Sequence, residues 1–523
     1  MQVRSWIVAA GLVVFSGELP ANAAETGLPR PAEIPVLTQG DFVFFSPLVF
    51  QRPSNEAEAQ RRAERLAWIK RFRICLTNGY ETFAGRDLEE LHAAGCELFI
   101  YRWFNGFYAA ELAENKSEEQ GTSYYRQFPH MVQLFREIYA HPEWVLNHGT
   151  SIQGGGAEHP AYFYDYANSD FRRFFVASIQ RDLERSQYDG VFFDYIGDWA
   201  LPPAVAQLWD HKHPDLTYND AGLRFLQELR AAIGTRRIFG NQAYRLTEPY
   251  YDLIDYDASE SLATSYVWGK EAALYEENGG VKSCRDTFYR NWDGAGGYEE
   301  ISRERRARAT LKPRVRVCDI NYLQPWRVPT GTMVEVSGQS LPVFTQRTDR
   351  PAIFYSYAVS KLVGGCVFAS DWHAEGYGED DIYFVDLGEP LDTGYAETPE
   401  VVARYFRNGF VAVTRGNGRV VFSPDAKFLP EGLAGLWDTY EGTRVHGWSS
   451  RRTVTVFPAY YPSTQRYYPS GRVYVYLLLA TVTDGGFRGQ LSSLLLPTRL
   501  AETGHGSLRD LVSAVWREKG EHG

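Results

Sequence analysis

Short apolar runs, each closed by polar residues, recur through the first three quarters of the chain and alternate with longer stretches of helical period. The runs are "FVFFS" (42–46), "FRICLTN" (72–78), "ELFIYRW" (97–103), "GVFFDYI" (190–196), "RIFGNQ" (237–242), "LIDYDASES" (253–261), "RVRVCDI" (314–320) and "GGCVFAS" (364–370). Their length and their β-branched and aromatic content predict strands. Between them, "EAEAQRRAERLAWIKR" (56–71), "RDLEELHAAG" (86–95), "SDFRRFFVASIQRDLERS" (169–186) and "NDAGLRFLQELRAAIG" (219–234) are amphipathic at the period of a helix. Strands apolar on both faces, alternating with helices, predict a parallel sheet covered by helices. Eight such units predict an α/β fold of the (β/α)8 TIM barrel type over residues 41–384. An insertion after the third strand, 104–168, carries the additional run "EWVLN" (143–147). A doubly wound open sheet is the competing architecture, but no G-x-G-x-x-G follows the first strand to favour it.

The texture changes beyond residue 385. "RYFRNGFVAVTRGNGRVVFS" (404–423) reads as a hairpin across "RGNG", with further strands in "RTVTVFPAYY" (452–461) and "RVYVYLLLA" (472–480). A small C-terminal β-rich domain is expected over 385–523. At the other end, Arg4, the apolar "WIVAAGLVVF" (6–15) and Ala21-Asn22-Ala23 form the three parts of a bacterial-style signal peptide, 1–23, followed by a leader, 24–40. The apolar part is shorter than the roughly 20 residues a spanning helix needs. The expectation is export to the periplasm or beyond, with no membrane span after cleavage.

Composition narrows the chemistry. The chain has 523 residues, of which 15% are aromatic, including 34 Tyr and 13 Trp, and its formal net charge is −11. That charge, without any Lys/Arg patch, removes the electrostatic reason to bind nucleic acid. Five cysteines cannot all pair within one chain, and Cys75, Cys96, Cys318 and Cys366 sit in or beside apolar runs, where a thiol behaves as a small buried hydrophobe. No C-x-x-C spacing is present, and the two histidines of "HKHP" (211–214) point apart on a helix, so no metal or other cofactor is expected.

In a (β/α)8 barrel the catalytic face is the C-terminal end of the strands. The strand ends here are polar: Thr77 and Asn78, Arg102, Asp194, Asn241 and Gln242, Asp257 and Glu260, Asp319 and Asn321, Asp371 and His373. Asp189, at the start of its strand, falls at the opposite end and reads as a turn or packing residue. A carboxylate closing an apolar strand is costly unless it has a task. Cleavage of a glycosidic bond supplies one, because it needs an ionised carboxylate beneath the anomeric carbon and a protonated carboxyl beside the leaving oxygen. Tyr195, Trp199, Tyr256, Tyr266 and Trp268, with Trp103 and Trp372, offer flat faces for pyranose rings, whereas Phe99, Phe192 and Phe193 read as core.

The ordered set "YDGVFFDY" (188–195), "GN" (240–241), "DASES" (257–261), "DLGEPL" (386–391) and "RYFRNGFVAV" (404–413) resembles bacterial TIM-barrel glycoside hydrolases, loosely the endo-α-1,4-polygalactosaminidase and α-galactosidase families, over residues 40–425. The resemblance implies a nucleophile on the fourth strand and an acid/base on the sixth, which fall on Asp194 and Glu260. It disfavours an α-amylase-like arrangement, which would end the fifth strand in Glu rather than Gly240-Asn241-Gln242. Asp257 is the rival acid, since residues 255, 257 and 259 share a strand face and Glu260 would enter the site only if the chain has begun to turn. Arg102, Tyr195, Trp199, Asn241, Asp257, Trp268, Asp319, Asp371 and Trp372 are the expected contacts to a polysaccharide or oligosaccharide. A barrel that binds glycan without cleaving it, as an accessory protein, is the alternative.

Overall fold

The structure is a computed structural model that describes residues 40–44, 56–77, 83, 85–112, 129–154, 157–246, 248–260, 263–277, 280–289, 315–322, 326–336, 339–347, 350–363, 366–370, 381–461 and 466–478. The proposed signal peptide and the leader up to residue 39 lie outside them. All eight apolar runs are strands of one parallel sheet: β1 (Gly40–Phe44), β2 (Phe72–Thr77), β3 (Glu97–Trp103), β4 (Gly190–Asp194), β5 (Arg237–Asn241), β6 (Tyr256–Glu260), β7 (Arg316–Tyr322) and β8 (Cys366–Ser370), hydrogen-bonded in that order. Helices α1 (Glu56–Ile69), α2 (Arg86–Ala93), α3 (Pro129–Tyr139), α4 (Ser169–Ser186), α5 (Pro203–Lys212), α6 (Tyr218–Ile233) and α7 (Arg350–Val363) connect or flank them. The first and last strands come within 8 Å of each other, Cα to Cα, so the sheet curls into a barrel-like shape.

The alternation of side chains along each strand decides which residues look into the barrel. Phe99, Phe192, Phe239 and Tyr256, one from each of β3 to β6, pack together, edge to face at 5.6 Å between ring centroids for Phe99–Phe239 and 5.1 Å for Phe192–Phe239, and tilted for Phe239–Tyr256. Tyr256 therefore belongs to the barrel filling, not to a sugar platform, and its hydroxyl donates to Glu97 Oε2 at 2.7 Å. The neighbouring residues point outward. Phe193 meets Phe225 of α6 at 5.8 Å, and α4 and α6 start cleanly because Asn168 and Thr217 cap their first backbone N–H groups. At the N-terminal end of β4, Asp189 Oδ2 accepts from Leu98 N at 2.8 Å and lies 3.1 Å from His92 Nε2, which ties β3, β4 and α2 together far from the strand tips.

Three features depart from the sequence reading. "EWVLN" is not a strand: Pro142–Trp144 form a 3-10 turn, and Val145 makes a single bridge to Tyr164. There the Asn147 side chain takes over the pairing, accepting from Phe163 N at 2.8 Å and donating to Ala161 O at 2.9 Å. The sheet of this insertion is formed instead by Gly106–Tyr108, Ile152–Gly154 and Ala157–Phe163. Second, long strands Thr264–Glu277 and Gly280–Tyr289 follow β6, and Trp326–Val336 and Gln339–Arg347 follow β7; together they make a four-stranded sheet. Third, the hairpin near residue 404 turns at Arg407-Asn408, pairing Val401–Phe406 with Gly409–Thr414. Beyond "RGNG" the chain leaves that sheet, and Val420–Phe422 pairs with Val454–Val456.

The C-terminal strands form a six-stranded antiparallel sheet, in which Gly471–Leu478 lies between Gly409–Thr414 and Leu433–Asp438. Its inner face, including Val402, Val411, Val473 and Val475, joins the same apolar cluster as the barrel, with α7 between. Close contact needs glycine at 471, since a Cβ there would stand 2.5 Å from the backbone of Phe354 and Tyr355.

Candidate active site

The inward parity of β3 to β6 delivers Tyr101, Asp194, Asn241 and Glu260 to one place at the strand tips. Tyr101 Oη donates to Asp194 Oδ2 at 2.6 Å. Asn241 Nδ2 donates to Asp194 Oδ1 at 2.7 Å and to Glu260 Oε2 at 2.9 Å. The Asp194 carboxyl also receives the backbone N–H of Tyr195 at 2.9 Å, on Oδ1. Laid end to end, the 2.7 Å and 2.9 Å bonds limit the separation of Asp194 Oδ1 and Glu260 Oε2 to at most about 5.6 Å, short of the roughly 6.5 Å at which a pair that admits a water between its carboxyls begins. Asn241 is almost wholly buried, and its Oδ1 meets no donor among the described residues.

Two backbone reversals shape the tips. Tyr195 and Gln242, the residues after Asp194 and Asn241, adopt φ of 55° and 58°. A left-handed conformation costs a non-glycine residue about 1–2 kcal/mol, and such strain collects where function requires a particular aim. Here the reversal at Tyr195 redirects the chain immediately after the residue whose N–H binds the Asp194 carboxylate. Burial pushes the Asp194 carboxyl above the usual carboxylate range, and the donors Tyr101, Asn241 and Tyr195 pull the other way.

Beside the carboxyls runs an aromatic wall. Trp103 lies 5.1 Å from Tyr108 and 6.1 Å from Tyr195, and Tyr195 lies 5.6 Å from Trp199. The Trp199 indole is fixed by its Nε1 donating to Ile196 O at 2.9 Å, and the Arg245 guanidinium stands 4.6 Å over its ring. Trp103 itself is buried in the core, so it backs the wall instead of offering the expected ring platform, whereas Tyr108, Tyr195 and Trp199 are partly exposed, a surface suited to the apolar side of a sugar ring.

The expected residues separate by strand parity. Asp194, Tyr195, Trp199, Asn241 and Glu260 assemble here. Glu260 shares the inward face with Tyr256 and Ala258, whose register partners on β5 are Phe239 and Asn241, so it enters the site as the last residue of the strand and needs no turn to do so. Asp257 is on the opposite face, buried, and accepts from Tyr251 Oη. Arg102 also points outward: it is buried against α4, donating to Asp182 Oδ2 at 2.5 Å and to Tyr101 O at 2.8 Å. Asp319 pairs in register with Ser259 and shares the outer face with Asn321, whose amide reaches Ser360 of α7 at 3.3 Å. Trp268 lies on the strand Thr264–Glu277 after β6, while Asp371 and Trp372 lie outside the described residues. Tyr101 is the contact the sequence reading missed. It shares the face of Phe99, and pairing with β4 is what makes that face, and so 101 and not 102, the inward one on β3. Among the described residues no group of three or more His, Cys, Asp or Glu is placed to hold a metal, and no helix is long and apolar enough to cross a membrane.

No family model matches the chain, and no curated protein matches it. Among solved structures it is similar to the glycoside hydrolase domain of PelA from Pseudomonas aeruginosa, at 13% identity over 63% of this chain and 93% of that one, with a TM-score of 0.37. An α-amylase from Geobacillus thermoleovorans complexed with acarbose shows 10% identity over 84% and 98%, TM-score 0.40. An α-amylase from Malbranchea cinnamomea shows 9% over 84% and 96%, TM-score 0.41. All three are glycoside hydrolases, and at these identities and scores the chemistry of the site rests on this chain's own residues.

Proposed function

We propose that this chain is an exported glycoside hydrolase on a closed (β/α)8 barrel, cleaving a polysaccharide or oligosaccharide with retention of configuration, with Asp194 as nucleophile and Glu260 as general acid/base. The observation that carries the reading is the single amide nitrogen of Asn241 bound to both carboxyls. Inverting enzymes keep their carboxyls roughly 6.5–9.5 Å apart to admit a water, whereas retaining enzymes hold them roughly 5–5.5 Å apart. In the first half-reaction an Asp194 oxygen bonds to the anomeric carbon as the glycosidic bond breaks. The bonding pair goes to the leaving oxygen, which takes the proton of Glu260. In the second, water bonds to the anomeric carbon, Glu260 takes its proton, and the ester pair returns to Asp194. Approach of β1 to β8 supports closure of the barrel, and residues 1–23 support export.

The test is turnover of a panel of p-nitrophenyl glycosides and plant and bacterial polysaccharides, with the anomer of the first product read by NMR. Asp194→Asn should lose activity by orders of magnitude while glycan affinity changes little. Glycan binding with no turnover by the unaltered protein would leave the accessory-protein alternative; an inverted first product would remove the nucleophile assignment.

A further inference from the structure

We infer that Asn241 is a positioning residue that decides which oxygen of each carboxyl acts. The inference rests on the reading of Asp194 and Glu260 as the catalytic pair, although the contacts themselves do not. The amide offers two N–H bonds, and Nδ2 sends them to Asp194 Oδ1 and Glu260 Oε2. The opposite amide orientation would set a carbonyl oxygen against the ionised Asp194 carboxyl, which has only acceptors to offer it. At Glu260, an oxygen that receives the amide N–H is an acceptor, so the acid proton is carried on Oε1. At Asp194, Oδ1 accepts from both Asn241 and Tyr195 N and has its two in-plane lone pairs engaged. Oδ2 accepts from Tyr101 and keeps a second lone pair, which makes Oδ2 the attacking atom.

The same arrangement serves both half-reactions. Oδ2 bonds to the anomeric carbon while Oε1 gives its proton to the departing oxygen, which keeps the electron pair of the broken bond. Water then adds to that carbon, Oε1 takes its proton, and the Oδ2–carbon pair returns to Asp194. Throughout, Asn241 holds Oδ1 and Oε2, the two oxygens that do not react. Because its N–H favours the ionised form of Asp194, loss of the amide must show in the titration of that carboxyl.

The experiment is thermal unfolding from acid to neutral pH for the unaltered protein, Asn241→Ala and Asn241→Asp, each with and without Asp194→Asn. The difference made by Asp194→Asn isolates the Asp194 titration and needs no substrate. Its midpoint should rise by on the order of one pH unit in Asn241→Ala, and further in Asn241→Asp, which keeps the shape but adds an acceptor. An unmoved midpoint in either variant that folds overturns the proposal. On a p-nitrophenyl glycoside the acidic limb of kcat/KM should move by the same amount, with kcat falling more than KM changes. If the unaltered protein turns over none of these glycosides, the hydrolase reading fails, and the stability titration still decides the role of Asn241.

Discussion

Replacing Arg102 by leucine tests whether the parity of β3 outranks the appeal of a charged strand end. The side chains of Arg102 and Asp182 are 2% and 10% exposed and meet at 2.5 Å, so removal of the guanidinium strands a carboxylate beneath α4. Breaking a buried pair from one side costs about 3–5 kcal/mol, because the remaining charge has lost its partner in a poor solvent for it. The Tyr101 carbonyl loses a donor as well, worth about 1 kcal/mol. Removing both charges, as in Arg102→Leu with Asp182→Leu, should recover most of that loss, since replacing a buried pair by apolar residues is about neutral or stabilising by up to 4 kcal/mol. Urea unfolding of the single and double variants, read as a double-mutant cycle, measures the coupling. Glycan binding should be nearly unchanged in the stable double variant. A single substitution that costs less than about 1 kcal/mol, the range of an exposed pair, while abolishing binding would refute the placement of Arg102 and return it to the barrel mouth.

Asp194→Asn should stabilise the fold at neutral pH, because burial raises the folded carboxyl above the ordinary range of an aspartate. The folded state then holds its proton more tightly than the unfolded chain, so the unaltered protein loses stability as pH rises from the unfolded value through the folded one, and the advantage of Asn vanishes at lower pH. A variant no more stable than its parent at pH 7 by calorimetry would contradict the desolvation. Tyr101→Phe removes the donor to Oδ2 and should push that carboxyl further up, moving the acidic limb of the pH–rate profile to higher pH; an unmoved limb would remove Tyr101 from the site. Gly471→Ala places a Cβ 2.5 Å from the backbone of α7 and should cost about 1–3 kcal/mol in urea unfolding, because two packed elements must separate. Unchanged stability would mean the C-terminal sheet does not bear on the helix.

The apolar runs determined the eight parallel strands, because a strand covered on both faces must be apolar nearly throughout and each run is bounded by residues that cannot be buried cheaply. The same logic marked Asp194 and Glu260, carboxylates at the ends of such runs. Composition could not separate Tyr101 from Arg102, or Glu260 from Asp257, since neighbours on a strand face opposite ways and only pairing with β4 and β5 sets the phase. The long strands after β6 and β7 also escaped, because their chain is mixed in polarity and finds its partners in each other across a stretch that includes β7 itself. Nor does sequence announce that Tyr195 and Gln242 turn through left-handed backbone, a strain that glycine would advertise and these residues do not. The meeting of two carboxyls at one asparagine amide was decided by tertiary structure alone: it depends on three strand ends arriving at the same height, and hydrogen bonds of 2.7 Å and 2.9 Å leave no slack for a register shifted by even one residue.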